Sequence, residues 1–343
     1  MEWKISERKS AGWKSSGCCV PGSDHREKQI LCQDRIYQYH SEQINVIALA
    51  DGAGSARFGG EGAEIAVREC VCLFITSFDR FYETEDARIV SRKILDHLLR
   101  TLYFSAKKNK GEVKDMASTL LAAAVKGDRY LLVHIGDGVI GCRKNGKMYA
   151  VSHPENGEFA NETFFITSQN AETHFRLYKG EIQDIDCFLL MSDGAQSSLY
   201  RAKNRKLIEE TERLAIWNSC LFAEIMNETL NNTIRKVLIN YTEDDCSLVM
   251  MNRIRPEDYQ NMELSEKRFL LMTDEVTEAE LTEEQIRQTD EIMRNLLVPL
   301  TEEELKKRIP DGTLEKGLRI LQAAGLVKNT CGRYRSVYTQ IGS

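Results

Sequence analysis

The stretch N-V-I-A-L-A-D-G-A-G-S-A-R-F-G-G-E-G-A, residues 45–63, decides the fold. The apolar run Val46 to Ala50 predicts a short buried strand, which ends at the turn dipeptide Asp51-Gly52. Small residues follow, and a helical pattern begins near Glu61. A carboxylate at a strand end, followed by glycine, leaves the backbone open to a metal ion or a phosphate. On its own, an ordinary turn explains this stretch more simply.

An apolar run that ends in Asp-Gly recurs twice more along the chain. L-L-V-H-I-G-D-G ends at Asp137-Gly138, and C-F-L-L-M-S-D-G ends at Asp193-Gly194. Near the end of this region D-D-C-S leads into another apolar run, which places Asp245 just before a strand. Clustered, unpaired carboxylates repel one another and need a cation between them. The set of strand-end acids therefore predicts a site for a hard metal ion.

The order and spacing of these motifs resemble the metal-dependent type 2C protein phosphatases, over roughly residues 10–253. The motifs that carry the resemblance are D-G-x-G-S at 51–55, S-T at 118–119, G-D-G at 136–138, S-D-G at 192–194 and D-D-x-S at 244–247. G-S-D-H at 22–25 and C-Q-D at 32–34 resemble the N-terminal acid motif of a bacterial branch of that family.

The resemblance implies a hydrolase with phosphoprotein substrates. It implies that a hydroxide bridging two Mg²⁺ or Mn²⁺ ions attacks phosphoserine or phosphothreonine. Asp51, Asp193 and Asp245 would be the catalytic acids. The implied metal ligands are Asp34 (through water), Asp51, the Gly52 carbonyl, Asp137, Asp193 and Asp245. A third, weaker ion at Asp137 and Asp193 is also implied.

The residue that binds the substrate phosphate is less clearly indicated. Family members usually place an arginine a few residues before the first acid, and His25 and Arg26 are the candidates here. Gln33 stands where many members have glutamate, and Ala53 where many have a proton-donating histidine. These departures keep a second interpretation open, a catalytically weak phosphatase-fold regulator or phosphoprotein-binding sensor.

Composition sets further limits. The 343 residues carry a net charge of -6, which does not indicate a nucleic-acid-binding protein as a whole. No apolar run approaches the roughly 20 residues of a membrane helix, and no apolar signal core stands at the N-terminus. The 10 cysteines contain no C-x-x-C pair. We therefore expect reduced thiols, no zinc site, a cytoplasmic location and no membrane partner.

The fold class predicted for residues 1–255 is α+β. Helical spacing from Gly62 to Asn109 breaks at residues 83–86, which predicts two long helices. Gly127-Asp128 and Asn145-Gly146 predict hairpin turns. Residues 153–183 are polar and irregular and resemble the family's flap. By resemblance this domain is a four-layer α/β/β/α sandwich of antiparallel sheets. The strand at Ser247–Met251 completes it, so residues 1–255 should fold alone.

The remaining residues differ in composition. Residues 256–300 contain 12 Asp and Glu against 4 Lys and Arg, which predicts an acidic helical connector. In residues 301–343 a helix, turn, helix and hairpin resemble a winged helix, with 8 Lys and Arg against 5 Asp and Glu. This charge is too low to indicate DNA binding, so contact with another protein is favoured over DNA. The expected partners are a phosphorylated protein, such as a cognate serine/threonine kinase or its targets.

Overall fold

The structure, a computed structural model, describes residues 12–155, 163–309 and 314–339. It divides into two compact units. The first contains Trp13–Ala215 and Asn227–Asn252, and the second combines Ile216–Met226 with Arg253–Ser343. The predicted domain boundary at residue 255 stays a prediction. No helix in the described ranges is long and apolar enough to cross a membrane.

Two five-stranded sheets form the first unit. One has the order β1 (Trp13–Val20), β12 (Cys246–Arg253), β9 (Ile185–Met191), β6 (Val139–Lys144), β7 (Lys147–Ser152). The other has the order β2 (Arg35–His40), β3 (Asn45–Ala50), β4 (Leu120–Lys126), β5 (Arg129–Ile135), β8 (Arg176–Glu181). All strand pairs with a defined register are antiparallel, which confirms the predicted sheet type.

Strand β3 is buried along its whole length because its two faces belong to different cores. Val46 and Ala48 lie in a core with the helices α2 (Gly59–Glu83) and α3 (Ala87–Lys108). Ile47 and Leu49 lie in the core between the sheets, with residues of β9 and β12. Successive side chains of a strand point to opposite faces, so one continuous apolar run serves both cores.

Helices cover both outer faces of the sheet pair. The long helices α2 and α3 are confirmed, and Asp86 caps the second by accepting a hydrogen bond of 2.9 Å from the Arg88 amide. On the other side, Asn227 of α7 (Ala223–Lys236) accepts a hydrogen bond of 2.9 Å from the Gly17 amide of β1. The first unit is therefore the predicted four-layer sandwich. The remaining helices of this part are α1 (Ser23–Glu27), α4 (Ala171–His174), α5 (Asp193–Leu199) and α6 (Glu210–Cys220).

The connection between β6 and β7 has the turn that its residues predict. Asn145 and Gly146, with φ angles of 51° and 79°, join β6 to β7 in the left-handed conformation that a two-residue hairpin requires. Of the predicted irregular segment 153–183, residues 156–162 lie outside the described ranges. Within the described part of this segment, the prediction is wrong for residues 176–181, because they form the strand β8, which pairs with β5.

The second unit has its own core. Its elements are α8 (Pro256–Gln260), α9 (Leu264–Leu271), α10 (Glu283–Asn295), β13 (Leu300–Thr301), α11 (Glu302–Lys306), α12 (Leu314–Ala323), β14 (Val327–Thr330) and β15 (Arg333–Ser336). Helix α10 of the predicted connector packs closely on α12, since a Cβ atom at Gly317 would lie 2.4 Å from Ile292. The order helix, strand, helices, hairpin is compatible with a winged helix, which stays a prediction.

Candidate metal centre

Three of the predicted acids meet at one edge of the sandwich. Asp51 follows β3, Asp137 lies between β5 and β6, and Asp193 follows β9. One carboxylate oxygen from each lies within 4.8 Å of the others. The sequence motifs are far apart along the chain, and the antiparallel sheets bring these strand ends together.

The backbone around Asp51 is held rigidly. The Asp51 amide donates to Oγ1 of Thr119 at 2.9 Å, and the Thr119 amide donates to the Asp51 carbonyl at 2.8 Å. Gly52 forms a bridge with Ser118, and a Cβ atom at Gly52 would lie 2.3 Å from the Gly59 carbonyl carbon. The glycine is therefore required by the close approach of the loop to the start of α2.

Asp34, the predicted N-terminal acid, lies close enough to this cluster for its charge to raise the pKa values of Asp51 and Asp193. Its side chain is 1% exposed, and neither carboxylate oxygen makes a hydrogen bond of ordinary geometry. Burial raises the pKa of Asp34 to about 7, while the nearby hydroxyls of Ser247 and Ser192 favour its charged form. A buried carboxylate without a full set of donors needs a compensating cation or remains protonated.

The carboxylates destabilise one another's charge. The pKa of Asp193 is raised to about 8, first by burial and then by repulsion from Asp137 and Asp244. Burial, followed by repulsion from Asp34 and Asp193, raises the pKa of Asp51 well above its usual range. Burial also raises the pKa of Asp137, although Thr163 donates a hydrogen bond of 2.5 Å to it. All of these groups are oxygen ligands, so the site fits Mg²⁺ or Mn²⁺.

Asp245, which was predicted as a catalytic acid and metal ligand, is held by backbone amides. Its side chain is 2% exposed and already accepts hydrogen bonds, from the amides of Gly22 at 2.8 Å and Gln33 at 2.6 Å. The neighbouring Asp244 is exposed, and its charge raises the pKa values of Asp51, Asp137 and Asp193. The charge of Asp244 therefore acts on Asp51, Asp137 and Asp193, whereas the charge of Asp245 raises the pKa of Asp34. Both acids stand directly before β12 in the sequence, and only the tertiary structure shows that their surroundings differ.

The predicted phosphate-binding residues lie on α1, next to Asp245. Nδ1 of His25 is 2.8 Å from Oδ1 of Asp245, and the His25 side chain is 14% exposed. Arg26 is exposed, and its Nε donates to the Gly22 carbonyl at 3.4 Å. The structure thus brings His25 to Asp245 and leaves Arg26 on the surface of the helix.

Sequence reasoning missed the polar residues that hold the acids in place. Thr119 and Thr163 position Asp51 and Asp137, and the S-T motif at 118–119 carried the signal for the first. Ser192 bridges two strands, because its hydroxyl accepts from the Ser247 amide at 3.0 Å. A serine directly before the acid of S-D-G was the signal for this contact.

Comparison with known proteins agrees with the geometry. The family model described as protein phosphatase 2C matches residues 21–235, a range that includes Asp34, Asp51, Asp137 and Asp193. The chain belongs to the protein phosphatase 2C family. It is therefore a metal-dependent protein phosphatase.

Individual relatives are distant. Serine/threonine-protein phosphatase 3 of Escherichia coli (strain K12) is 27% identical over 179 residues, which are 52% of this chain and 68% of that protein. Among solved structures, the serine/threonine phosphatase Stp1 from Staphylococcus aureus has a TM-score of 0.51 at 17% identity, covering 74% of this chain and 99% of that one. A bacterial serine phosphatase has a TM-score of 0.50 at 17% identity, covering 70% and 97%. These similarities show that this 2C-type phosphatase shares the fold of the two bacterial phosphatases.

Proposed function

We propose that this phosphatase removes phosphate from phosphoserine and phosphothreonine in protein substrates. The ions would be Mg²⁺ or Mn²⁺, held by Asp34, Asp51, Asp137, Asp193 and Asp244. The observation that carries the proposal is the meeting of three carboxylate oxygens within 4.8 Å. Membership of the 2C family supports the same activity.

The residues have different roles in this proposal. Asp51, at the centre, would hold two ions together with the Gly52 carbonyl. Asp193 and Asp244 would complete the ligands of one ion, and Asp137 with Asp193 would hold a third. Asp34, which is buried and lacks ordinary hydrogen-bond donors, would act through water. Ions of this kind acidify a bound water and offset charge on the phosphoryl oxygens.

Substrate contacts come from the chain itself. His25, held by Asp245, is the proposed contact for a phosphate oxygen at the rim, and Arg26 contributes from the same helix. Water attacks phosphorus in line with the departing serine or threonine oxygen. Ala53 has no proton to give, so solvent protonates the departing oxygen. The products are inorganic phosphate and a free hydroxyl group.

Hydrolysis of p-nitrophenyl phosphate and of a phosphoserine peptide tests this function. With Mn²⁺ both substrates should be cleaved, and a chelator should abolish both activities. Absence of Mn²⁺-dependent cleavage of either substrate would favour the alternative of a catalytically weak phosphatase-fold regulator. The observation that favours this alternative is the position of Arg26, whose exposed side chain lies on the surface of α1.

The C-terminal unit has a separate proposed role in binding another protein, such as a cognate kinase. On the exposed face of α12, Arg319 pairs with Glu280 at 2.6 Å and donates to the Glu275 carbonyl. Arg319 is therefore already paired with a carboxylate and a backbone carbonyl, whereas a DNA-binding helix would use such a cation to contact phosphate. DNA contact by residues 301–343 is the weaker alternative, and retention of this unit on DNA at low salt would support it.

A further inference from the structure

A short hairpin near the metal centre carries an unusual charge. Strands β10 (Tyr200–Arg201) and β11 (Lys206–Leu207) pair antiparallel and form what we term the basic hairpin, residues 200–207. Its segment R-A-K-N-R-K, residues 201–206, has 4 cations and no acid, within a chain of net charge -6.

The cations of the basic hairpin are available to a ligand. All six residues of 201–206 are exposed. Across the described ranges, no carboxylate forms an ion pair with Arg201, Lys203, Arg205 or Lys206. Four exposed cations within six residues repel one another, so an anionic partner relieves that repulsion.

The hairpin is tied to the metal centre by two routes. Along the chain, Asp193 is the first residue of α5 and Tyr200 directly follows this helix, whose length spans about 10 Å. Through hydrogen bonds, the Tyr200 hydroxyl lies 2.9 Å from Nδ1 of His153, whose carbonyl accepts from Arg176 at 2.7 Å. Arg176 also donates to the carbonyl of Gly136, the residue before Asp137, at 3.4 Å.

From these observations we propose that the basic hairpin selects phosphoprotein substrates with an anionic side chain near the phosphorylated residue. An extended peptide advances about 3.3 Å per residue, so the hairpin meets a side chain about three residues from the phosphoserine. The anion is a carboxylate or a second phosphate, since either pairs with lysine and arginine. The inference rests on the proposed function, because it names the substrate class of that same site.

Matched variants of the full-length chain test the inference. Lys203→Gln/Lys206→Gln removes two charges from the basic hairpin. Lys144→Gln/Lys147→Gln removes two from the exposed turn between β6 and β7, at the end of β6 away from Asp137. Lys203→Glu/Lys206→Glu reverses the charge. The substrates are p-nitrophenyl phosphate and four phosphoserine peptides. In these peptides Asp, Asn or a second phosphoserine stands about three residues away, or Asp stands about eight residues away.

The wild-type protein should cleave the near-Asp and doubly phosphorylated peptides with a kcat/KM about fivefold above that of the Asn peptide. The hairpin glutamine variant should lose most of this preference because KM rises for the near-Asp and doubly phosphorylated peptides. The glutamate variant should show the reverse preference. The turn variant should keep the preference, and all variants should cleave p-nitrophenyl phosphate equally. A preference for the doubly phosphorylated peptide alone would identify phosphate as the anion.

Other outcomes overturn the inference. An unchanged preference in the hairpin variants, or an equal preference for distant Asp, would show that the hairpin does not read the substrate. If the hairpin variants lost binding to single-stranded DNA but kept unaltered peptide kinetics, this result would also show that the hairpin does not read the substrate. Lack of Mn²⁺-dependent cleavage of p-nitrophenyl phosphate by the wild-type protein would instead defeat the proposed function itself.

Discussion

Nδ1 of His25 lies 2.8 Å from Oδ1 of Asp245, and the amides of Gly22 and Gln33 donate to the same carboxylate. A carboxylate with these partners ties α1 and the segment before Asp34 to the start of β12. We therefore propose that Asp245 positions these segments and that its neighbour Asp244, whose charge raises the pKa values of Asp51, Asp137 and Asp193, serves the acidic cluster.

Substitutions at these neighbouring acids should have different effects. Asp245→Asn replaces an acceptor oxygen by an NH₂ group, which leaves a buried donor unpaired and should lower the free energy of unfolding by about 1–3 kcal/mol. Asp244→Asn should leave that free energy unchanged or higher and should weaken Mn²⁺ binding about tenfold. Denaturant unfolding and calorimetric Mn²⁺ titration measure the two quantities. A larger loss of Mn²⁺ affinity in Asp245→Asn would restore Asp245 as the ligand.

Asp51→Asn should abolish turnover without unfolding the protein. The change removes the central charge of the cluster, so kcat for p-nitrophenyl phosphate should fall at least about a hundredfold. Relief of repulsion with Asp34 and Asp193 should leave the metal-free protein at least as stable as wild type. Asp128→Asn, in the exposed turn before β5, is the control and should behave as wild type. Activity of Asp51→Asn within about tenfold of wild type would contradict the proposed metal centre.

The metal-free protein should lose stability as the pH rises. The folded-state pKa values of Asp34 and Asp193, about 7 and about 8, exceed the ordinary value of 3.8. Protonation of these two acids in the folded protein adds to its free energy of unfolding. This contribution is complete below the pKa of the unfolded state and is lost as the pH rises through the pKa values of the folded state. Buried His134 has a lowered pKa and acts in the opposite direction, but only below its ordinary value of 6.5.

Thermal unfolding in a chelator between about pH 6.5 and 8.5 isolates the carboxylate effect. The midpoint should fall across this range, and Mn²⁺ should flatten the dependence because bound ions favour the charged carboxylates. Asp193→Asn should show a smaller fall than wild type. A midpoint that rises with pH in the chelator would show that the acids are not raised in pKa.

Two glycines of the Asp51 loop should respond differently to the same substitution. A Cβ atom at Gly52 would lie 2.3 Å from the Gly59 carbonyl carbon, whereas a Cβ atom at Gly54 would have no neighbour within 4 Å. Gly52→Ala should therefore displace the loop, lower the free energy of unfolding by about 1–3 kcal/mol and reduce kcat. Gly54→Ala should match wild type in unfolding and kinetics. Equal behaviour of the two variants would mean that the loop tolerates this displacement.

Removal of residues 256–343 should expose apolar surface on the chain that remains. Within the second unit, Trp217 stacks on Phe269 with ring centroids 5.6 Å apart, and the Tyr338 hydroxyl donates to Cys220 at 3.0 Å. A chain ending at residue 255 should bind a hydrophobic dye and unfold at a lower temperature than the full chain. A truncated protein with unchanged stability would support the sequence-based boundary at residue 255.

Much of the fold was determined by local sequence. Strand β3 is an unbroken apolar run. Such a run predicts a strand that is buried on both faces, because each face packs in a different core. Asn145-Gly146 specified a two-residue turn because both positions need a positive φ. The three Asp-Gly strand ends also determined which acids could form a site, since each stood where an apolar run stopped.

Only the tertiary structure decided between neighbours with the same chemistry. Asp244 and Asp245 are both acids before one strand, but hydrogen bonds from segments more than 200 residues away bind only the second. The basic hairpin is also held by a tertiary contact, in which the Tyr200 hydroxyl lies 2.9 Å from Nδ1 of His153. Likewise, Ile216–Met226 belong to the C-terminal unit through contacts that no local pattern records. Local preferences act over a few residues, whereas these outcomes depend on which distant segments pack together.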